Sequence, residues 1–247
     1  MLPRAILFDL DDTLISAYAQ PELAWIAIAG EFADRLHPID PAVVAAAVAA
    51  SSDRFWSDAE RHRLGRLNLL EARGGIVRDA FAQLTRLGHA APPADLARRM
   101  AERYATYRDE QMYLFSGAHD LVDELKSRGV RLALVTNGTG PAQRAKIDRF
   151  GLAHRFDHIQ IEGEHGFGKP EERAYLHAMW MLGVRAHETW MVGDNLEWEI
   201  AAPQRLGIHA IWHDAIGRGL PEGCQIKPDR IIRSLAELMP DRLPGLR

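Results

Sequence analysis

The hydrophobic pattern of the chain changes character twice. It opens on Ala5-Ile6-Leu7-Phe8, four consecutive apolar residues that read as a short buried strand. From Ala17 to about Met112 the spacing is helical and no convincing strand occurs. Pro21 to Leu36 predicts an amphipathic helix ended by Pro38 and Pro41. Asp40-Pro41 opens an Ala/Val-rich helix, with proline at an early position where its missing N–H costs little. Ser51 to Leu87 predicts Arg/Leu-rich helices broken at Gly74-Gly75 and at Gly88, and Pro92 to Asp95 opens a helix running towards Tyr113. After Gly117 short apolar runs alternate with amphipathic segments. Strands are predicted at Val130–Val135, Phe156–Ile161, Thr189–Val192, Ile208–Trp212 and Asp229–Ile232. Helices are predicted at Ala118–Arg128, Pro141–Phe150, Glu171–Leu182, Glu197–Leu206 and Ser234–Met239.

This alternation predicts an α/β fold, a doubly wound and mostly parallel sheet with helices on both faces. The opening strand must belong to that sheet, because a lone strand is not stable. Residues 1–14 and 113–247 are therefore expected to form the core, and residues 15–112 an inserted all-helical domain. The crossings between them are expected near Leu14–Ala19 and Met112–Gly117.

Composition narrows the class. Of the 247 residues, 47% are hydrophobic and 26% charged, a soluble globular balance. A formal net charge of -4, from 30 basic and 34 acidic residues, is too weak to imply nucleic acid or an anionic membrane as partner. Cys224 is the single cysteine, so no intrachain disulfide forms. No apolar run approaches the ~20 residues that span a bilayer. No signal peptide opens the chain, since Asp9, Asp11 and Asp12 interrupt it, and a cytoplasmic monomer or homodimer is expected.

The chemistry gathers where predicted strands end. Asp9, Asp11 and Asp12 follow the first strand at once, and burying such a cluster unpaired would cost several kcal/mol per charge. Asp9 and Asp11 are two apart, so in extended backbone they point the same way and suit a hard cation such as Mg²⁺. An acidic turn with Asp12-Thr13 capping a helix reads the same residues structurally. Thr136-Asn137-Gly138 could present donors to an anion or form a plain β-to-α turn. Pro170 suits the first turn of a helix, which puts Lys169 just before that helix, where a cation opposes the helix dipole. Either a bound anion serves both, or the lysine is a solvated surface group. Asp194 again stands directly after a strand, with Glu197 and Glu199 close behind. Either glutamate could merely charge the first turn of a helix. Together, carboxylates, a hydroxyl and one lysine on one sheet edge make a set suited to phosphoryl transfer.

In this order the motifs resemble the haloacid dehalogenase superfamily, most of whose members are Mg²⁺-dependent phosphatases. Asp9-Leu10-Asp11-Asp12-Thr13, Thr136, Lys169-Pro170 and Gly193-Asp194 with Glu199 match its four motifs. The last acid is Glu where many relatives have Asp, and Pro203 stands where many have small residues. The resemblance implies that Asp9 is a nucleophile forming an aspartyl-phosphate and that Asp11 is the general acid and base. It places Mg²⁺ on the Asp9 carboxylate, the Asp11 backbone carbonyl and Asp194, with Glu199 touching that shell indirectly or through water. It gives Thr136, Asn137 and Lys169 to the phosphate. It makes the helical insert a cap that selects a small phosphorylated metabolite, a sugar phosphate or nucleotide monophosphate. Arg66 and Arg73 belong to a locally basic stretch of that insert and are either substrate contacts or part of a solvated helix face. On the same fold the alternatives are a 2-haloacid dehalogenase, a phosphomutase and a catalytically silent binding protein. The intact Asp9, Asp11, Lys169 and Asp194 favour the phosphatase.

Overall fold

The computed structural model describes residues 2–17 and 21–242. Tyr18 and Ala19, within the first expected crossing, lie outside the described residues. The chain divides into two compact units. One combines the chain up to Ser16 with the chain from Tyr113 onward; the other is Ala17–Met112.

In the first unit β1 (Ala5–Phe8) is followed by β2 (Ile15–Ser16), which pairs antiparallel with β3 (Tyr113–Leu114). Neither two-residue strand stands out in the sequence, because two residues show no periodicity. Their pairing brings together the two points where the chain leaves and re-enters this unit, and it moves the first boundary two residues beyond the expected position 14. The remaining strands are β4 (Arg131–Thr136), β5 (His158–Ile161), β6 (Thr189–Gly193), β7 (His209–His213) and β8 (Arg230–Ile232). With β1 they make one six-stranded parallel sheet in the order β5-β4-β1-β6-β7-β8. The strand order reverses around β1, where open α/β sheets bind ligands outside the carboxyl ends of their strands.

The helices of this unit are α7 (Ala118–Ser127), α8 (Gly140–Arg149), α9 (Glu162–His165), α10 (Glu172–Leu182) and α11 (Ala202–Arg205). Alternate strand residues Ala5, Leu7, Ala133, Val135 and Met191 form one buried cluster with Tyr175, Ala178, Met179, Leu182 and Ala202. The intervening residues Ile6, Phe8, Leu132 and Leu134 are buried as well, so the strands are covered on both faces. That is why they read as unbroken apolar runs.

Two expectations near the site are corrected. Helix α10 starts at Glu172 with Glu171 as N-cap, so Pro170 lies before the helix rather than in its first turn. The segment expected as one helix from Glu197 to Leu206 is instead a wide π turn over Leu196–Ala201 followed by α11. Pro203 has no N–H to give to the carbonyl four residues back, whereas Ala202 donates to the Glu197 carbonyl five residues back. At the chain's end, the expected Ser234–Met239 helix is a 3₁₀ segment over Leu235–Leu238.

The second unit is all-helical among its described residues: α1 (Pro21–Glu31), α2 (Ala33–Leu36), α3 (Pro41–Trp56), α4 (Ala59–Gly65), α5 (Leu69–Arg86) and α6 (Leu96–Gln111). The expected Pro21–Leu36 helix is divided at Phe32. Asp40 caps α3, accepting from the Ala42 amide at 2.8 Å. The expected break at Gly74-Gly75 does not occur, since α5 runs through both glycines. Each costs about 1 kcal/mol against alanine in a helix interior, but Ile76, Val77, Ala80, Phe81 and Leu84 bury a continuous stripe that offsets it. Trp25 stacks on Tyr104 at 4.2 Å within this core.

Candidate active site

Asp9 continues β1 at the centre of the sheet, and its amide donates to the Val192 carbonyl at 2.9 Å. Phe8 is level with Leu134 of β4 and Val192 of β6. Thr136 and Asp194, each two residues further along their own strands, therefore leave the same sheet edge on either side of Asp9. Parallel register alone brings these three positions together from distant parts of the sequence.

Lys169 completes the centre. Its side chain is 1% exposed, and Nζ lies 2.5 Å from Asp9 Oδ1 and 2.7 Å from Glu199 Oε1. Of the two readings that the sequence left open, the solvated surface lysine is excluded. Burial opposes the ammonium charge, but Asp9 and Glu199 outweigh it and hold the Lys169 pKa above the ordinary lysine value. The second Asp9 oxygen accepts from the Thr13 hydroxyl at 3.1 Å. Asn137, expected on phosphate, has its side chain engaged elsewhere. Its Nδ2 donates to the Lys169 carbonyl at 2.7 Å and its Oδ1 accepts the Lys169 amide at 2.9 Å. The lysine backbone is thus clasped from β4. Gly168 permits this approach, since a Cβ there would lie 2.5 Å from Asn137 Oδ1.

Glu199 is aimed by the π turn. Asn195 Oδ1 accepts from the Glu197 and Trp198 amides at 3.0 Å each, and the Asn195 amide donates to Glu199 Oε2 at 2.8 Å. With Oε1 on Lys169, both carboxylate oxygens are engaged by protein. Glu199 therefore holds the lysine directly, a role the sequence did not suggest. Gly193 leaves room for it, because a Cβ there would fall 2.0 Å from Glu199 Cγ.

Asp11 stands in a second polar group. Lys146 Nζ lies 2.7 Å from both of its carboxylate oxygens, and Gln143 Nε2 donates to Oδ2 at 3.0 Å. The same Gln143 nitrogen is 2.5 Å from the Thr136 hydroxyl. Gln143 and Lys146 are both buried on α8, and sequence reasoning missed them. Their three-residue spacing puts them on one helix face, directly after the Thr136 turn, and that was the available signal.

Asp194 carries the electrostatic argument for a cation. Burial raises its carboxyl well above the ordinary value, and Glu199, Asp9 and Asp12 raise it further. Lys169 opposes them. Burial likewise raises Asp9, against the pull of Lys169. The Trp212 indole N–H holds the Asp194 carbonyl at 2.6 Å, fixing the backbone beside the carboxylate. A hard divalent cation with oxygen ligands and retained waters fits this excess of negative charge.

Arg66 and Arg73 belong to the helical unit. Arg73 is buried there with its guanidinium 4.9 Å from the Tyr104 ring centre, so it serves that unit's packing rather than presenting itself to solvent. Arg66 is half-buried at the end of α4.

A parallel sheet carrying paired carboxylates, a buried lysine and a hydroxyl on one edge defines a hydrolase of the doubly wound class. Residues 3–207 match the family model for haloacid dehalogenase-like hydrolases, and the chain belongs to that family. It is 32% identical to a phosphoserine phosphatase of Thermus thermophilus, over 95% of this chain and 97% of that protein. It is 26% identical to a pyrimidine 5'-nucleotidase of Streptococcus pneumoniae, over 97% and 94%. A solved structure of a magnesium-bound putative hydrolase of this family from Bacillus subtilis superposes with a TM-score of 0.69 at 25% identity, covering 98% of this chain and 99% of that one. The protein is accordingly an enzyme, a hydrolase of the phosphatase type.

The buried lysine makes a specific prediction. Lys169→Met leaves Asp9 and Glu199 without their cation and is expected to destabilise the fold by about 3–5 kcal/mol. Burial, only partly offset by Lys169, already pushes Glu199 up to about 7. A carboxyl raised in the folded state costs stability once it ionises, so the penalty should be greatest above that pH and shrink below it. Urea unfolding of both proteins in chelator, on either side of that pH, measures this. A penalty independent of pH would show that the lysine does not neutralise these carboxylates.

Proposed function

We propose that this hydrolase cleaves small phosphate monoesters, of the sugar phosphate or nucleotide monophosphate kind, through an aspartyl-phosphate on Asp9. The observation that carries the reading is the Lys169 bridge, which fixes one Asp9 oxygen at the carboxyl end of the central strand. Asp9 attacks phosphorus and the bond from phosphorus to the ester oxygen breaks. Asp11 gives its proton to the leaving alkoxide. Asp11 then takes a proton from water, the water oxygen attacks the phosphorus, and inorganic phosphate leaves with the Asp9 carboxylate restored. The Lys146 contact engages both Asp11 oxygens, so each proton transfer requires part of that contact to be given up. Thr136 and Lys169 supply hydrogen bonds and charge to the phosphoryl oxygens. When bound, Mg²⁺ on Asp9, Asp194 and the Asp11 carbonyl would add positive charge against the same oxygens.

The named relatives support a phosphate ester as substrate; the phosphoserine and pyrimidine nucleotide specificities are theirs. Here Ala17–Met112 is assigned the role of a cap that chooses among esters. A panel of phosphate esters tests the reading. Hydrolysis of an aryl phosphate should require Mg²⁺, and Asp9→Asn should abolish it. Asp11→Asn should cost roughly 10²–10⁴-fold, most with poor leaving groups. Full activity in excess chelator, or an equal loss across leaving groups of very different acidity, would contradict these roles. For the cap, Arg66→Ala should change the ratio of kcat/KM between large esters more than it changes turnover of the aryl phosphate. The reverse result would take selection away from the helical unit.

A further inference from the structure

A second group of side chains in the α/β unit has no part in the chemistry above. His158 begins β5, His165 ends α9 and His177 lies on α10. One ring nitrogen from each lies within 4.8 Å of those of the other two. The ring centres are 5.2 Å apart for His165 and His177, 5.4 Å for His158 and His177, and 6.0 Å for His158 and His165. Among the described residues this is the one group of three or more such side chains drawn so close.

The hydrogen bonds decide where the lone pairs are. His165 Nδ1 is 3.1 Å from the Ile161 carbonyl oxygen, which can only accept. That nitrogen must carry the proton, and in the neutral ring Nε2 is left as a lone-pair donor. His177 Nδ1 is 2.8 Å from Gln160 Oε1. The orientation of that amide is itself fixed, since Gln160 Nε2 donates to the Ala174 carbonyl at 2.8 Å. His177 Nδ1 is therefore also a donor, and its Nε2 also keeps a lone pair. The third ring supplies the independent sign. His158 Nε2 is buried and has no hydrogen-bond partner. Leaving a buried polar atom this way is unfavourable unless something satisfies it.

We propose that His158, His165 and His177 form a site for a divalent transition metal, Zn²⁺ or a close chemical equivalent, bound through their Nε2 atoms. Three imidazoles suit zinc, cobalt, nickel or copper and discriminate against Mg²⁺, which demands oxygen. This site and the carboxylate edge thus select different metals. The carbonyl and amide behind His165 and His177 are the outer partners that orient ligating histidines in metal sites. Zn–N bonds of about 2.1 Å set tetrahedral nitrogens roughly 3.4 Å apart, so the rings close by up to about 1.4 Å when the metal enters. A water or an anion takes the fourth position.

The site would also tie three parts of the fold together. β5 is an edge strand of the sheet, α10 covers the sheet, and His165 stands four residues before Lys169. A metal held there fastens the segment that delivers the catalytic lysine to the rest of the unit.

The test uses the full chain, stripped by chelator and then supplied with excess Mg²⁺ to fill the carboxylate edge. Zn²⁺ is titrated against a chelating dye, and Co²⁺ is titrated as a spectroscopic substitute. One Zn²⁺ per chain should bind in competition with the dye, and Co²⁺ should show the visible bands of a tetrahedral nitrogen site. Both should disappear in His165→Ala and in His177→Ala and persist in Asp9→Asn. Gln160→Met, which removes the outer partner of His177 and leaves all three rings in place, should weaken Zn²⁺ by roughly 10–100-fold. Melting curves without metal identify any histidine variant that fails to fold, and the other then carries the comparison. Absence of binding in the native chain, or binding that survives both histidine variants or vanishes in Asp9→Asn, would overturn the site.

Discussion

The ammonium of Lys169, 1% exposed and set between Asp9 and Glu199, is the contact on which the site depends. Two carboxylates and a lysine cannot be taken out of water separately, since the effective penalty is several kcal/mol per ion. Together they can, provided that each is held at hydrogen-bonding distance. Much of the local structure serves that condition. Asn137 clasps the lysine backbone, the Asn195 amide holds the second Glu199 oxygen, and Gly193 and Gly168 leave the space that both approaches need. The same arrangement prepares the chemistry. It keeps Asp9 fixed, places a cation where phosphoryl charge would arrive, and leaves Asp194 with an excess of negative neighbours that a divalent cation relieves.

The sheet explains why residues so far apart meet. Asp9, Thr136 and Asp194 need only follow parallel strands in adjacent register; no loop has to find its place. This made the centre legible in the sequence. A polar residue directly after an apolar run is costly inside a protein, so its appearance after three separate runs marked one edge. The alternation of strands and helices was legible for the same reason, as the strands are buried on both faces and read as plain apolar runs.

What was not legible depends on contacts between distant positions or on competition between local and tertiary preference. The Lys146–Asp11 pair joins residues 135 apart, and on α8 Lys146 reads as one more polar position of an amphipathic helix. Lys169 before a helix looked like a surface cation or an anion ligand, because nothing local reports that Glu199 will face it. The course of Glu199 is set by the π turn before Pro203, whose geometry the proline hinted at without specifying. Gly74 and Gly75 show the opposite failure, since local propensity predicted a break and the buried stripe of α5 overrode it.

The central claim is that the Asp9 held by Lys169 is the atom group that receives phosphate. Acid quench during turnover, borohydride reduction and mass analysis of the peptide carrying Asp9 test it directly. Reduction of an acyl phosphate turns an aspartate into homoserine, so homoserine is expected at position 9, only after exposure to substrate, and with Asp11 unmodified. Homoserine at Asp11, or an unmodified Asp9 under conditions where the enzyme is turning over, would contradict the account.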